Sequence, residues 1–173
     1  TNERGYNESR PGTSPRFWYQ LPDFAPRHRP DLCIARVNYR HPRVVLNQDR
    51  EVLIDANFST LWRADDTGLD PVALLALLTS TWVRASMELL GTVLGGGALK
   101  LEAAHLRRLL LPRPERDGEA LLSQTGQMLK DEVDQAETAA AIDDVVSAML
   151  GLDSSASQAV AALAQQRLGA RAR

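Results

Sequence analysis

The segment Asp70–Gly91 constrains the fold of this chain more than any other. It has clear helical boundaries: Asp70 can cap the first turn, Pro71 suits the first helical position, and Gly91 suits the end. Apolar side chains recur along the segment at helical spacing, at Leu75, Leu78, Trp82, Ala85 and Leu89. This pattern predicts one long helix whose apolar stripe packs against the rest of the domain.

Short strand-like segments lie on both sides of this predicted helix. They are Phe17–Leu21, Asp31–Val37, Arg43–Asn47, Glu51–Asp55, Asn57–Trp62 and, after the helix, Ala98–Leu101. A short turn at residues 48–50 predicts a hairpin between the third and fourth of them. The fold class that follows is α+β: an irregular mixed β-sheet domain with one long packed helix, followed by a C-terminal helical segment.

The last third of the chain has only helical patterns. One amphipathic helix is predicted over about residues 118–138, a second ends at Gly151, and Asp153 can cap a third. The predicted organisation is a flexible, polar lead-in at 1–16, a β-sheet domain at 17–114 and a helical segment at 115–173. The chain does not begin with Met, so we expect it to be part of a longer protein.

Composition narrows the class of protein. The chain has 173 residues and a net charge of −2, and it has no apolar run of the roughly 18 residues that a membrane span needs. Its one cysteine, Cys33, lies in an apolar run and is expected to be a small core residue. We therefore expect a cytoplasmic protein that makes no contact with a membrane.

The charge is distributed unevenly, and its basic part contains the first candidate site. Residues 10–50 contain eight arginines and three acidic residues. The stretch Arg36–Arg43 mixes cations with an amide, an aromatic ring and a histidine, the residue types that contact base edges and phosphates. The candidate DNA-binding residues are Arg36, Asn38, Tyr39, Arg40, His41 and Arg43, together with Arg27 and Arg29. The alternative is an ordinary solvated loop.

A second candidate site is the run of three glycines, Gly95, Gly96 and Gly97, with Lys100 beside it. One interpretation is a tight turn that needs positive φ angles. The other is a bare backbone that lets a nucleic-acid strand approach closely while Lys100 contacts its phosphates. A strand rather than a helix follows the glycines, so a dinucleotide or nucleotide-triphosphate loop is excluded.

Catalytic patterns are missing from the sequence. It has no zinc-ligand spacing, no nucleophile elbow and no phosphate-binding loop. Only Asp49, Glu51 and Asp55 with Lys100 could imitate the acidic cluster of a metal-dependent nuclease, and we consider this the weakest interpretation because the first two suit a turn and a strand start.

Several motifs together resemble a known family. They are Trp-Tyr-x-Leu-Pro from Trp18, Pro-Arg-Val-Val-Leu-Asn from Pro42, Asp-x-Asn-Phe from Asp55, Leu-Leu-Ala-Leu-Leu-Thr-Ser-Thr from Leu74, Gly-Gly-Gly-Ala-Leu-Lys-Leu-Glu from Gly95 and Leu-x-x-Leu-Leu-Leu-Pro-x-Pro from Leu106. Their order is similar to that in the target-recognition region of adenine-specific (N6) DNA methyltransferases of restriction-modification systems. Type I specificity subunits have a related plan.

The resemblance implies a DNA-recognition role without catalysis in this chain. The Asn/Asp-Pro-Pro-Tyr/Phe catalytic motif and the glycine-rich S-adenosylmethionine loop of the family are absent. The implied partners are duplex DNA and the catalytic methyltransferase domain of the parent protein, which would bind S-adenosylmethionine and extrude the adenine. The alternative is an assembly module of a restriction-modification or phage-defence complex, in which the acidic helices pack on a partner.

Overall fold

The computed structural model describes residues 28–63 and 69–171, and the first of these ranges contributes to two small antiparallel sheets. Strand β1 (Leu32–Ala35) lies between β3 (Val44–Leu46) and β4 (Phe58–Leu61) in the first sheet. The second sheet has β6 (Leu99–Lys100) between β2 (Val37–Asn38) and β5 (Thr92–Val93). The predicted strand Phe17–Leu21 lies outside the described residues.

Arg36 links the two sheets. It stands between β1 and β2, and its backbone N–H donates to the carbonyl of Asn57 at 2.9 Å. Its own carbonyl accepts a hydrogen bond from the N–H of Leu101 at 2.7 Å. One residue therefore joins the edge of the first sheet to the end of β6.

The predicted strand Glu51–Asp55 does not form, and the hairpin prediction was wrong. Residues Gln48–Arg50 form a 3-10 turn with positive φ at Asp49 and Arg50. The buried side chain of Asn47 donates to the carbonyls of Pro30 and Val52 and accepts from the N–H of Val52. Asn47 thus pairs the N–H and the carbonyl of Val52, and the N–H of Ile54 donates to the carbonyl of His28 at 2.9 Å, so these groups are satisfied without a strand partner.

The segment Asp70–Gly91 is helical as predicted, but it is divided into α1 (Pro71–Thr79) and α2 (Thr81–Leu90), bent by 69°. Asp70 caps α1 by accepting from the N–H groups of Val72 and Ala73. Ser80 is extended and caps α2 through its hydroxyl, which accepts from the N–H of Val83. Leu89, predicted to be buried, is half-exposed at the end of α2.

The remaining helices are α3 (Ala103–Leu106), α4 (Arg116–Lys130), α5 (Gln135–Leu150) and α6 (Ser154–Arg171). The helix predicted over 118–138 is also divided, since Glu132 has a positive φ and Asp134 caps α5. Gly151 ends α5 in the left-handed conformation, and Asp153 caps α6 at the N–H of Ala156. Both of these boundaries were predicted correctly.

One hydrophobic core joins the first sheet to the helices. Its fully buried members come from the sheets, the α1–α2 pair and the C-terminal helices, and include Leu32, Ile34, Leu77, Val83, Met87, Leu99, Leu122, Ile142 and Val146. Helix α1 packs on α4 and α2 packs on α6. The buried Cys33 is a free thiol, as expected. The C-terminal helices thus complete the core of the sheet domain.

No single helix in the described ranges is long and apolar enough to cross a membrane. The α1–α2 pair together passes this test of length and composition, as buried core helices also do, and most of α1 lies in the core.

Candidate nucleic-acid interface

The predicted recognition loop runs from Arg36 through β2 to the start of β3. Tyr39 is 73% exposed, and Arg40 and Arg43 are exposed as well, so these three side chains are free to contact a ligand. Asn38 differs from them because it is buried. Its amide donates to the carbonyl of Ala35 at 2.7 Å and accepts from the N–H of Arg43 at 3.1 Å. The structural role of Asn38 is therefore to close the loop.

Beside this loop lies a mainly apolar cleft of about 640 Å³ on the outer side of the first sheet. Val37, Val45 and Phe58 line it together with the loop residues, Tyr39 and Arg43 among them. The exposed ring and cations thus border a surface that is apolar rather than charged, an arrangement that suits bases as well as phosphates.

The glycine run forms the tight turn of the β5–β6 hairpin. Gly96 and Gly97 have φ angles of +82° and +80°, as the turn interpretation requires. The N–H of Leu94 donates to the carbonyl of Ala98 at 2.8 Å, which closes the hairpin. Gly95 and Gly96 face open space, so the turn also leaves room for the close approach of another backbone.

Arg171, in the last turn of α6, holds both candidate loops. Its Nη1 donates to the carbonyls of Asn38, Tyr39 and Gly97 at 3.2, 3.1 and 2.9 Å, and its Nη2 donates to the carbonyl of Arg40. Its Nε and Nη2 also bond to the carboxylate of Glu88 on α2 at 2.9 and 2.8 Å. One buried guanidinium therefore fixes the recognition loop and the glycine turn next to each other.

Lys100 lies beside this pair of loops. It pairs with Val37 in the second sheet, and its Nζ lies 2.8 Å from Oε1 of Glu102. The hydrogen bond from Lys100 is the main reason that the pKa of Glu102 is lowered. Since the side chain of Lys100 remains 40% exposed, its ammonium can exchange this surface partner for a phosphate.

His41 lies behind the loop, close to two cations. Burial lowers the pKa of His41, the charge of Arg84 lowers it further, and Arg171 acts in the same direction, whereas Glu88 opposes them. The imidazole is therefore neutral at neutral pH and is suited to hydrogen bonding rather than to phosphate neutralisation.

One of the predicted cations is not part of this cluster. Arg29 is exposed and precedes β1, whereas Arg36 follows the other end of the same strand. Arg27 lies outside the described residues. The structure thus brings together Arg36, Tyr39, Arg40, His41, Arg43, Gly95, Gly96, Gly97 and Lys100, with Asn38 buried beneath them.

Three residues around the loops were not predicted from the sequence: Arg171, Glu88 and Arg84. An arginine and a glutamate 83 positions apart give no local signal, and Arg84 lies on the polar side of a helix pattern where a solvated cation is the usual interpretation.

The nuclease interpretation fails on geometry. Within residues 28–63 and 69–171, no three His, Cys, Asp or Glu side chains are grouped so that they could hold a metal ion. Asp49 lies in the 3-10 turn, and the carboxylate of Asp55 accepts from the N–H of Asn57.

The chain matches a known protein family. Residues 13–147, more than half of the chain, match the family model described as the C-terminal domain of the type II methyltransferase M.Eco57I. No curated protein and no solved structure matches the chain. The matched region contains both candidate loops and ends inside α5, so α6 and Arg171 lie beyond it.

Proposed function

The chain belongs to the family of C-terminal domains of type II methyltransferases typified by M.Eco57I, and from this premise we propose that it recognises duplex DNA for a catalytic domain of the same enzyme. In this proposal the parent is an adenine-specific (N6) DNA methyltransferase. Its S-adenosylmethionine binds in that catalytic domain, and the protein acts in the cytoplasm.

The observation that carries the proposal is the shared anchor of the two exposed loops. Arg171 holds the backbone of residues 38–40 and of Gly97, so Tyr39, Arg40 and the exposed glycines are presented in a fixed arrangement. A preorganised set of cations, an aromatic ring and bare backbone is suited to bind a duplex, because the loops lose little conformational entropy on binding.

The exposed groups have different roles in this proposal: some contact phosphates and others contact bases. Arg40, Arg43 and Lys100 neutralise phosphates, which makes binding dependent on salt. Tyr39 and the bordering apolar cleft contact bases or their methyl groups and supply the sequence preference. Holding the duplex in this way assists the catalytic domain in extruding its adenine, which cannot be methylated inside the base stack.

The test is duplex binding by the chain between about 50 and 200 mM salt, the range in which phosphate contacts weaken markedly. The double variant Arg40→Ala/Arg43→Ala should bind more weakly and with a shallower salt dependence. A matched control is Arg116→Ala/Arg167→Ala, which removes the same charge from exposed positions on α4 and α6. Equal losses in the two double variants would mean that only net charge matters and would contradict the proposed face.

A further inference from the structure

Arg84 on α2 is a partly buried cation without a partner. Its Nε is buried and has no hydrogen-bond partner, and within the described ranges its guanidinium takes part in no ion pair. Burial lowers the pKa of Arg84, although a guanidinium stays charged at any physiological pH. A charge removed from water and left unpaired is unfavourable, so a protein that retains one has a reason to do so.

Asp143 does not satisfy this cation. Asp143 on α5 opposes the lowering of the Arg84 pKa, so it lies within electrostatic range. Its two carboxylate oxygens, however, accept hydrogen bonds from the N–H and the hydroxyl of Thr81, at 2.7 and 2.6 Å. Asp143 thus serves as a cap for the start of α2, and Arg84 remains available to another anion.

Arg84 lines an open cleft of about 690 Å³ between β3, α1, α2 and the α4–α5 corner. Two further cations, Arg43 and Lys130, line the same cleft, against one carboxylate, that of Glu132. Core residues such as Leu75 and Ile142 form part of the wall, which lowers the local dielectric and strengthens attraction of an anion. The cleft is therefore positive, partly apolar and accessible.

The cleft also adjoins the proposed DNA-binding face. Arg43 lines both this cleft and the apolar cleft beside Tyr39. His41, which follows Arg40 in the recognition loop, lies close enough to Arg84 for that charge to lower its pKa. A strand of DNA that contacts Arg40 and Arg43 would thus pass close to the mouth of the Arg84 cleft.

We propose that this cleft binds one backbone phosphate of the DNA, with Arg84 as the fixed donor and Arg43 and Lys130 as mobile ones. The assignment rests on the proposed function, because it takes its anion from the duplex. Arg84 is preorganised by its position in α2, so it fixes the register of the strand, whereas the exposed cations attract the strand at longer range.

The experiment compares the wild-type chain with Arg84→Met and the exposed control Arg116→Met. The duplex association constant is plotted against salt concentration on logarithmic axes. The slope of this plot should become shallower by about 0.9 for Arg84→Met, the contribution of one phosphate in duplex DNA, and should stay unchanged in the control. Thermal denaturation of the free proteins supplies the second readout. Arg84→Met should melt at or above the wild-type temperature, because it removes an unpaired buried charge and keeps the aliphatic contacts. A lower melting temperature with an unchanged slope would show that Arg84 is structural and would overturn the proposal.

Inorganic phosphate at constant ionic strength separates DNA from a free anion as the ligand. If phosphate stabilises the wild type but not Arg84→Met, and the DNA slopes of the two proteins are equal, the cleft serves a free anion and the DNA assignment is wrong. If the wild type binds duplex DNA and the salt slopes of the wild type and Arg84→Met are equal, the phosphate site is refuted but the proposed function is not. Failure of the wild type to bind duplex at about 50 mM salt would refute the proposed function, and the DNA assignment with it.

Discussion

Arg171 and Glu88 form a two-bonded ion pair in which both side chains are only 2% exposed, although they lie 83 positions apart in the chain. The pair connects the last turn of α6 to α2, and the remaining donors of Arg171 reach four loop carbonyls. The arrangement makes the geometry of the recognition loop depend on a helix that contributes no exposed cation of the candidate interface.

We expect Arg171→Met to lower the free energy of unfolding by about 3–5 kcal/mol, because it leaves the carboxylate of Glu88 buried and unpaired. Urea denaturation measures this loss. The exposed Arg167→Met on the same helix is the control and should change stability by less than about 0.5 kcal/mol.

The double variant Glu88→Leu/Arg171→Met separates stability from positioning. It should be more stable than Arg171→Met, since no unpaired charge remains buried. Its duplex affinity should stay low, because the carbonyls of Asn38, Tyr39 and Gly97 have lost their common donor. Recovery of affinity together with stability would show that Arg171 acts on the fold alone.

The crossing of α1 and α4 depends on Gly126. A Cβ atom at this position would overlap the carbonyl oxygen of Val72, so Gly126→Ala must push the two helices apart. We expect a loss of about 1–3 kcal/mol in unfolding free energy. Gly169→Ala on α6 has open space around its Cβ and should leave stability unchanged or raise it by up to about 1 kcal/mol. A stable Gly126→Ala protein would contradict the close helix contact.

The glycine turn gives a test of close approach by DNA. Gly96→Ala is strained at φ +82° and should destabilise the hairpin by about 1–2 kcal/mol. Gly95→Ala has open space and no positive φ, so its stability should match the wild type. If DNA backbone approaches this turn, Gly95→Ala should nevertheless bind duplex more weakly. Unchanged affinity would leave the turn with a structural role only.

The lowered pKa of His41 determines the direction of one pH effect on stability. Its folded pKa is lower than its unfolded pKa of about 6.5, so near and below that value the unfolded chain binds more protons. Stability from the neutral imidazole is therefore fully present above pH 6.5 and is lost as the pH falls through the lower folded pKa. The free energy of unfolding of the wild type should fall more between about pH 7 and 5 than that of His41→Asn. Parallel curves would exclude His41 as the source.

Local sequence signals predicted the helix boundaries well, because a capping side chain or a left-handed glycine acts within one turn. Asp70, Gly151 and Asp153 all have their predicted roles. The break at Ser80 was missed because apolar periodicity continues across it, even though three successive hydroxyl residues offer the backbone alternative partners.

The candidate loops were predicted from their composition, but their arrangement was not. That Arg36–Arg43 and Gly95–Gly97 lie next to each other depends on the pairing of Val37 with Lys100 and on Arg171. Long-range contacts of this kind leave no periodic trace in one sequence. The strand expected at Glu51–Asp55 failed for a related reason, since the backbone of Val52 pairs with the buried side chain of Asn47 and the N–H of Ile54 pairs with His28.

The position of Arg171 has a consequence for protein engineering. The family match ends at residue 147, within α5, and a recombinant fragment or a domain exchange between methyltransferases designed on that boundary would omit α6. Such a chimera would carry every exposed side chain of the recognition loop but would lack the donor that orders its backbone. If the loops recognise DNA as proposed, we expect transfer of that recognition to another enzyme to require α6 and the Glu88–Arg171 pair as well.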